Sequence, residues 1–173
     1  MKEIINHLKK LGLIIGIISL VLSLNAQTAS PFSREEMDKS YEKNIKKARV
    51  NGVYIPVDFD DAFEEFKHLA DEEALVSFTN YEEDVAVNKL HFGLGRWMIV
   101  NWSFYEGSRL SHYLREKGLL HPDDMASYLI RMFHRKLNGK ELNDEALISS
   151  YAMKRKKELK EKGSLYFDER EDK

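Results

Sequence analysis

The sequence predicts an all-α protein, a compact bundle of about five to six helices behind an N-terminal signal peptide. Apolar residues recur at helical spacing along most of the chain, and a capping residue stands before most of those stretches. Only three prolines interrupt the 173 residues. No internal repeat, hairpin alternation or low-complexity stretch competes with the helical pattern.

Residues 1–10 carry three lysines against one glutamate, and an uncharged run of 14 residues follows from Leu11 to Leu24. A spanning helix needs roughly 20 apolar residues and a secretory core roughly 7–15, so the run predicts a cleaved leader. The small residues after it place cleavage after Ala26, with Ala29 as the alternative and a retained anchor as the competing reading. Ser33 and Glu36 form a capping box for a segment expected to reach about Arg49, with a thin stripe of Met37, Tyr41, Ile45 and Ala48. Asn51-Gly52 then predicts a stop and Gly52–Pro56 an extended link, because the residue before proline avoids the α region.

Asp58 caps the clearest amphipathic helix, in which Phe59, Ala62, Phe63, Phe66 and Leu69 share a face. A short helix is expected at 72–78. Asn80 opens the next, where Val87, Leu90, Leu94, Trp97 (or Met98) and Asn101 line up. Gly93 and Gly95 each weaken it by up to roughly 1 kcal/mol against alanine, or let another backbone approach. After a turn at 103–107, Ser108 caps a helix that ends at Gly118. A helix entered at His121-Pro122-Asp123-Asp124 buries Met125, Leu129, Met132 or Phe133, and Leu137 before Asn138-Gly139. Asn143 caps a final charged helix, expected to stop at Gly163, with acids at its start and lysines at its end, as the helix dipole favours.

No cysteine occurs, so neither a disulfide framework nor a lipid-bearing cysteine is available. An exported domain of about 147 residues is long enough to rely on its core. The net charge is −2 for the whole chain and about −4 after the leader, which gives no general attraction to nucleic acid or anionic lipid. The chain divides into a signal peptide at 1–26, a helical extension at 27–49, a central helical domain at 50–140 and a charged helix and tail at 141–173.

The stretch most like chemistry is His121-Pro122-Asp123-Asp124. Pro at the first helical position and acids in the first turn are explained by helix physics alone. His121 is left at or just before the N-cap, where helix physics does not call for a histidine. The stretch as a whole reads first as a helix entrance and second as a site. A metal site needs three or four ligands; His112 with Glu116, His121 with Asp124, and Glu64 with His68 supply only pairs, at spacings common by chance. No metal and no cofactor is therefore expected. Ser108 stands in Glu-Gly-Ser-Arg, which is no nucleophile elbow, and reads as a cap. Asp123 and Asp124 are neighbours and cannot straddle a glycosidic bond by themselves.

Trp97 and Trp102 are five apart, about 140° around a continuous helix, so both cannot face one seam. One is expected to pack while the other lines a cleft or contact surface with Phe104 and Tyr105, residue types enriched in binding hot spots. The reading set against this, and preferred to it, is that these large side chains build the core a small helical domain needs. The basic run at 154–162 is interrupted by glutamates and reads as a solvated face, so no nucleic-acid partner is expected.

The motifs Asn51 to Pro56, His91 to Trp97, Trp102 with Gly107, Ser108, Leu110 and Tyr113, and Gly118 with His121 to Met125 together resemble a small bacterial domain family of unknown function, over roughly residues 50–135. The resemblance implies no particular activity or cofactor. It implies that the central region is the functional module and that its flanks are additions.

Two functional readings follow. The leading one is a non-enzymatic helical binding module of the bacterial cell envelope, without a membrane span after cleavage. Its partner would be an envelope protein or a small ligand, recognised through Trp97, Trp102, Tyr105, Ser108, His112, His121, Asp123 and Asp124. The alternative is an envelope hydrolase using His121 and Asp124. A pocket converging His91, His112, His121 and Asp124 would favour the enzyme; dispersal of these groups beside an exposed aromatic patch would favour binding.

Overall fold

The computed structural model describes residues 34–171, with side-chain surroundings from 35 to 162; the expected leader and the capping Ser33 lie outside the described residues. The packing below is that of the unit beginning at Lys39. The fold is all-α with one minor hairpin. Helix α1 spans Arg34–Asn44, and strands β1 (Arg49–Val50) and β2 (Val53–Tyr54) follow. Then come α2 (Phe59–Leu69), α3 (Glu72–Thr79), α4 (Glu83–Leu90), a π-helical turn (His91–Gly95), α5 (Arg96–Asn101), α6 (Arg109–Glu116), α7 (Pro122–Leu137) and α8 (Asp144–Glu171).

Helix α7 is the centre. Met125, Ala126, Tyr128, Leu129, Ile130, Met132, Phe133 and His134 are all buried, so it is covered on nearly every side. The Phe133 ring packs on Phe59, Phe63 and Phe66 of α2, at centroid distances of 5.9, 6.1 and 4.6 Å. Asp58 caps α2 by accepting from the Asp61 N–H. Its stripe is buried as expected except for Leu69, which is exposed at the helix end. Glu83 at the start of α4 is clamped by Arg131 and Arg135 of α7. Burial opposes its ionisation, yet hydrogen bonds from the two guanidinium groups outweigh that and hold its carboxyl down at about 2.

Four local expectations are corrected. Helix α1 ends at Asn44 rather than Arg49, because the next residues enter the hairpin. Asn51 (φ 50°) and Gly52 (φ 83°) are its turn, joining Arg49↔Tyr54 and Val50↔Val53; both positive φ values match the tight turn that Asn-Gly favours. The helix expected from Asn80 starts at Glu83, and the π turn moves its buried face by about one residue. Gly95, Met98, Ile99 and Trp102 are therefore the buried positions: Met98 is the one of the Trp97 or Met98 alternatives that reaches the core, and Leu94, Trp97 and Asn101 are half-buried. Finally, α8 runs through Gly163 to Glu171.

Gly95 is buried with only side chains near it, at ordinary contact distances, so it does not mark a close backbone approach. A Cβ there would stand 3.5 Å from the Ile130 side chain and 3.6 Å from that of Ala126, so the π turn lies directly against α7. Gly93 has open space around it.

Candidate functional site

The α6–α7 connection is short. Gly118 (φ 105°) ends α6, Leu119 is buried, Leu120 is 74% exposed, and His121 is the N-cap of α7. The Asp123 N–H donates to His121 Nδ1 at 3.2 Å, and Pro122 occupies the first helical position. The histidine that helix physics did not call for is thus the cap itself.

The two aspartates that follow do different work. Asp124, its side chain 14% exposed, is held by Arg155 of α8 through two hydrogen bonds, Nε to Oδ2 at 2.9 Å and Nη2 to Oδ1 at 2.7 Å. This fork-on-carboxylate contact pins α8 to the start of α7. The hydrogen bond to Asp124 raises the Arg155 pKa against the opposing effect of burial. Asp123 faces two histidines instead, with Oδ1 3.5 Å from His91 Nε2 and Oδ2 3.3 Å from His121 Nδ1.

His91 extends the chain of contacts. Its Nδ1 shares a 3.0 Å hydrogen bond with Ser127 Oγ. Ser127 and Asp123 are one turn apart on α7, and His91 opens the π turn, so a Ser127–His91–Asp123 sequence lies across two elements. Sequence reasoning missed Ser127. The only available signal was its four-residue spacing from Asp123, which is too common to single out.

Beside the helix entrance lies a groove of about 560 Å³ between the α6–α7 connection and α8. Leu120 and His121 line one side, and Ala152, Lys156, Leu159 and Lys162 the other, with the Asp124–Arg155 pair among its lining. Leu159 is 63% exposed, so the groove presents two large apolar side chains to solvent.

The remaining candidates are elsewhere. Trp102 is 1% exposed and meets Trp97 edge-on at 5.6 Å; the two rings touch because the helix ends at Asn101, so the geometry of a continuous helix does not apply. Phe104 is buried as well, leaving only Tyr105 of the expected aromatic surface exposed, at 63%. Half-buried Trp97 lines a separate cleft with Tyr54, Asp61, Glu64 and Glu65. Ser108 is fully buried in a reciprocal capping box with Ser111. His112 bonds to Tyr41 Oη at 2.9 Å and has Glu116 at 3.5 Å. The structure therefore brings His91, His121 and Asp123 together, and neither His112 nor Ser108 bonds to any of them. Among the described residues no group of three or more His, Asp and Glu is placed to hold a metal ion, and no helix is long and apolar enough to cross a membrane.

Fold and site define a small all-α domain organised on one buried central helix, with an apolar, lysine-edged groove at that helix's entrance. Residues 55–137, which include α7 and the π turn, match the family model described as Domain of unknown function (DUF6794). A family without an assigned function is what the resemblance implies. No curated protein and no solved structure matches the chain.

Proposed function

We propose that the protein is a non-enzymatic binding module of the bacterial cell envelope, recognising its partner at the His121 helix entrance and the groove along α8. The groove carries this reading. It sets exposed Leu120 and Leu159 beside accessible polar groups, the combination typical of ligand sites. Most of the other candidate polar groups already have internal partners: Ser108 in its capping box, His112 on Tyr41 and Asp124 on Arg155. The envelope assignment rests on the leader-like segment at 1–26, and intact-mass measurement on protein from the producing cells should show its loss; the full-chain mass would refute cleavage. To test the groove, envelope extract is passed over the immobilised protein and over Ala152→Trp, which fills the groove from an exposed position. Molecules retained by the wild type and lost by a normally helical variant support the reading. Equal retention refutes it.

One observation favours a second reading, a hydrolase. Asp124 is committed to Arg155, so the acid-base set differs from the His121 and Asp124 pair expected from sequence. It is Ser127 as nucleophile, His91 as base and Asp123 as its orienting carboxylate. The 3.5 Å separation of His91 from Asp123 is longer than a working hydrogen bond and would have to tighten on binding. A fluorophosphonate probe decides: labelling at Ser127, lost in His91→Ala, supports the hydrolase, and an unlabelled Ser127 rejects it.

A further inference from the structure

We propose that the groove between the Gly118–His121 connection and α8 binds a long-chain carboxylate, its alkyl chain along Leu120, Ala152 and Leu159 and its head group at Lys156 and Lys162. This rests on the binding-module reading and names the ligand class. The α8 wall is built from positions 152, 156, 159 and 162, spaced four, three and three residues apart and therefore on one helix face. They cover about 15 Å of helix axis, a length that suits an extended acyl chain better than a compact ring.

Charge decides the head group. The guanidinium of Arg155 is already occupied by Asp124 and, at 3.2 Å, by Glu158. Lys156 and Lys162 have no ion-pair partner among the described residues, and both are exposed at the groove. Among the residues that line the groove, Asp124 is offset by Arg155, and Lys156 and Lys162 leave the balance positive; Glu158, which shares Arg155, is not part of the lining. Lysine stems are long and flexible enough for both ammonium groups to reach one carboxylate. A peptide fits less well. The α8 wall is a helix face whose backbone groups bond within the helix, so an extended chain would find nothing to pair with there. The volume of about 560 Å³ also falls among small-molecule sites, about 300–1,000 Å³.

The test uses protein purified from the producing cells, titrated with the fluorescent polyene carboxylate cis-parinarate. Competition with a saturated carboxylate and with the alcohol of the same chain length, each below its micelle concentration, reads the head-group preference. Saturable binding is expected, with the carboxylate favoured over the alcohol by about tenfold, the scale of one charged hydrogen bond. Lys156→Glu with Lys162→Glu should remove that preference and leave the alcohol's affinity within about twofold. Ala152→Trp should abolish binding of both. No saturable binding by the wild type, equal affinity for acid and alcohol, or unchanged binding by Ala152→Trp would each overturn the proposal. Failure of the carboxylate while Ala152→Trp still loses its envelope partner overturns the ligand class alone; an Ala152→Trp protein that keeps that partner overturns the groove reading as well.

Discussion

The turn at Trp102–Ser108 and the helix entrance at His121–Asp124 both follow a helix end and both place a polar cap before the next helix. Folding sends them opposite ways. In the turn, Trp102, Ser103, Phe104, Gly107 and Ser108 are buried, and only Tyr105 and Glu106 face solvent. Its Ser108 cap is bonded inside to Ser111. At the entrance, His121 caps with a side chain that stays 40% exposed, Asp123 is similarly open, and a groove adjoins them. Residue type marked both regions as candidate recognition surface. Burial and the destination of each polar group separate them: one is core that happens to be aromatic, the other is a cap left open to solvent beside a groove.

The sharpest break of this comparison is Trp102→Ala. A fully buried Trp in contact with Trp97 and Phe104 should cost about 3–5 kcal/mol when truncated. Urea unfolding at pH 7 reads this directly. A loss below about 1 kcal/mol would place Trp102 outside the core and return the turn to the list of binding surfaces.

A control sits where α4 is clamped to α7, away from the entrance. Glu83→Gln should lose about 2–3 kcal/mol at pH 7, since Arg135 then keeps its charge without a carboxylate and Arg131 is left with Asp84 alone. The sign of its pH dependence follows from the depressed pKa. As pH falls from the ordinary 4.5 toward about 2, the unfolded chain takes up a proton that the folded one refuses. The wild type's advantage is therefore full above about 4.5 and gone once pH passes below about 2. An advantage unchanged between pH 7 and pH 2.5 would show that this clamp does not anchor α7.

Gly107→Ala comes next, at about 2 kcal/mol. Its φ of 89° disfavours any side chain, and an added Cβ would overlap the Tyr41 ring. Adding Tyr41→Ala should remove the clash and keep the backbone cost, so the pair should be less than additive. Strict additivity would mean that Tyr41 does not seat on this turn.

Local signals carried much of the architecture. Asp58, Ser108 and the Pro122 position marked three helix starts, and the α2 stripe named the aromatic residues that pack on Phe133. What stayed hidden depends on distance or on a small register change. The π turn inserts about one residue into an otherwise ordinary helical pattern, and spacing alone left Trp97 and Met98 as alternatives, of which Met98 is the core residue. The Asn-Gly hairpin is too short to show alternation. The contacts that sort the site are tertiary: Arg155 reaches Asp124 across 31 positions and His91 reaches Ser127 across 36. No spacing rule connects residues so far apart, so the sequence could name His121, Asp123 and Asp124 but not assign them separate roles.

The smallest expected effect on stability bears most on function. His121→Ala removes a cap made by a ring nitrogen at 3.2 Å, and cap losses run at about 0.5–2 kcal/mol. The low end applies, because the bond is long, the ring is partly solvated, and Pro122 with two acids already favours the helix start. About 0.5 kcal/mol is expected, a shift of roughly 1–2 °C in Tm. The same ring lines the groove beside Leu120, so its loss should weaken ligand binding there by about threefold or more while the fold is hardly disturbed. Melting temperature and binding of the groove ligand are therefore measured on one preparation, with Asp123→Asn as the companion. Asp123→Asn removes the negative charge that faces His121 but keeps the backbone N–H that the ring caps. If His121 acts only as a cap, Asp123→Asn leaves binding unchanged and His121→Ala changes stability alone. If the entrance is the recognition face, His121→Ala lowers affinity at nearly constant Tm. A drop of several degrees with unaltered affinity would put the entrance in the same class as the Trp102 turn, and the contrast between the two regions would fail.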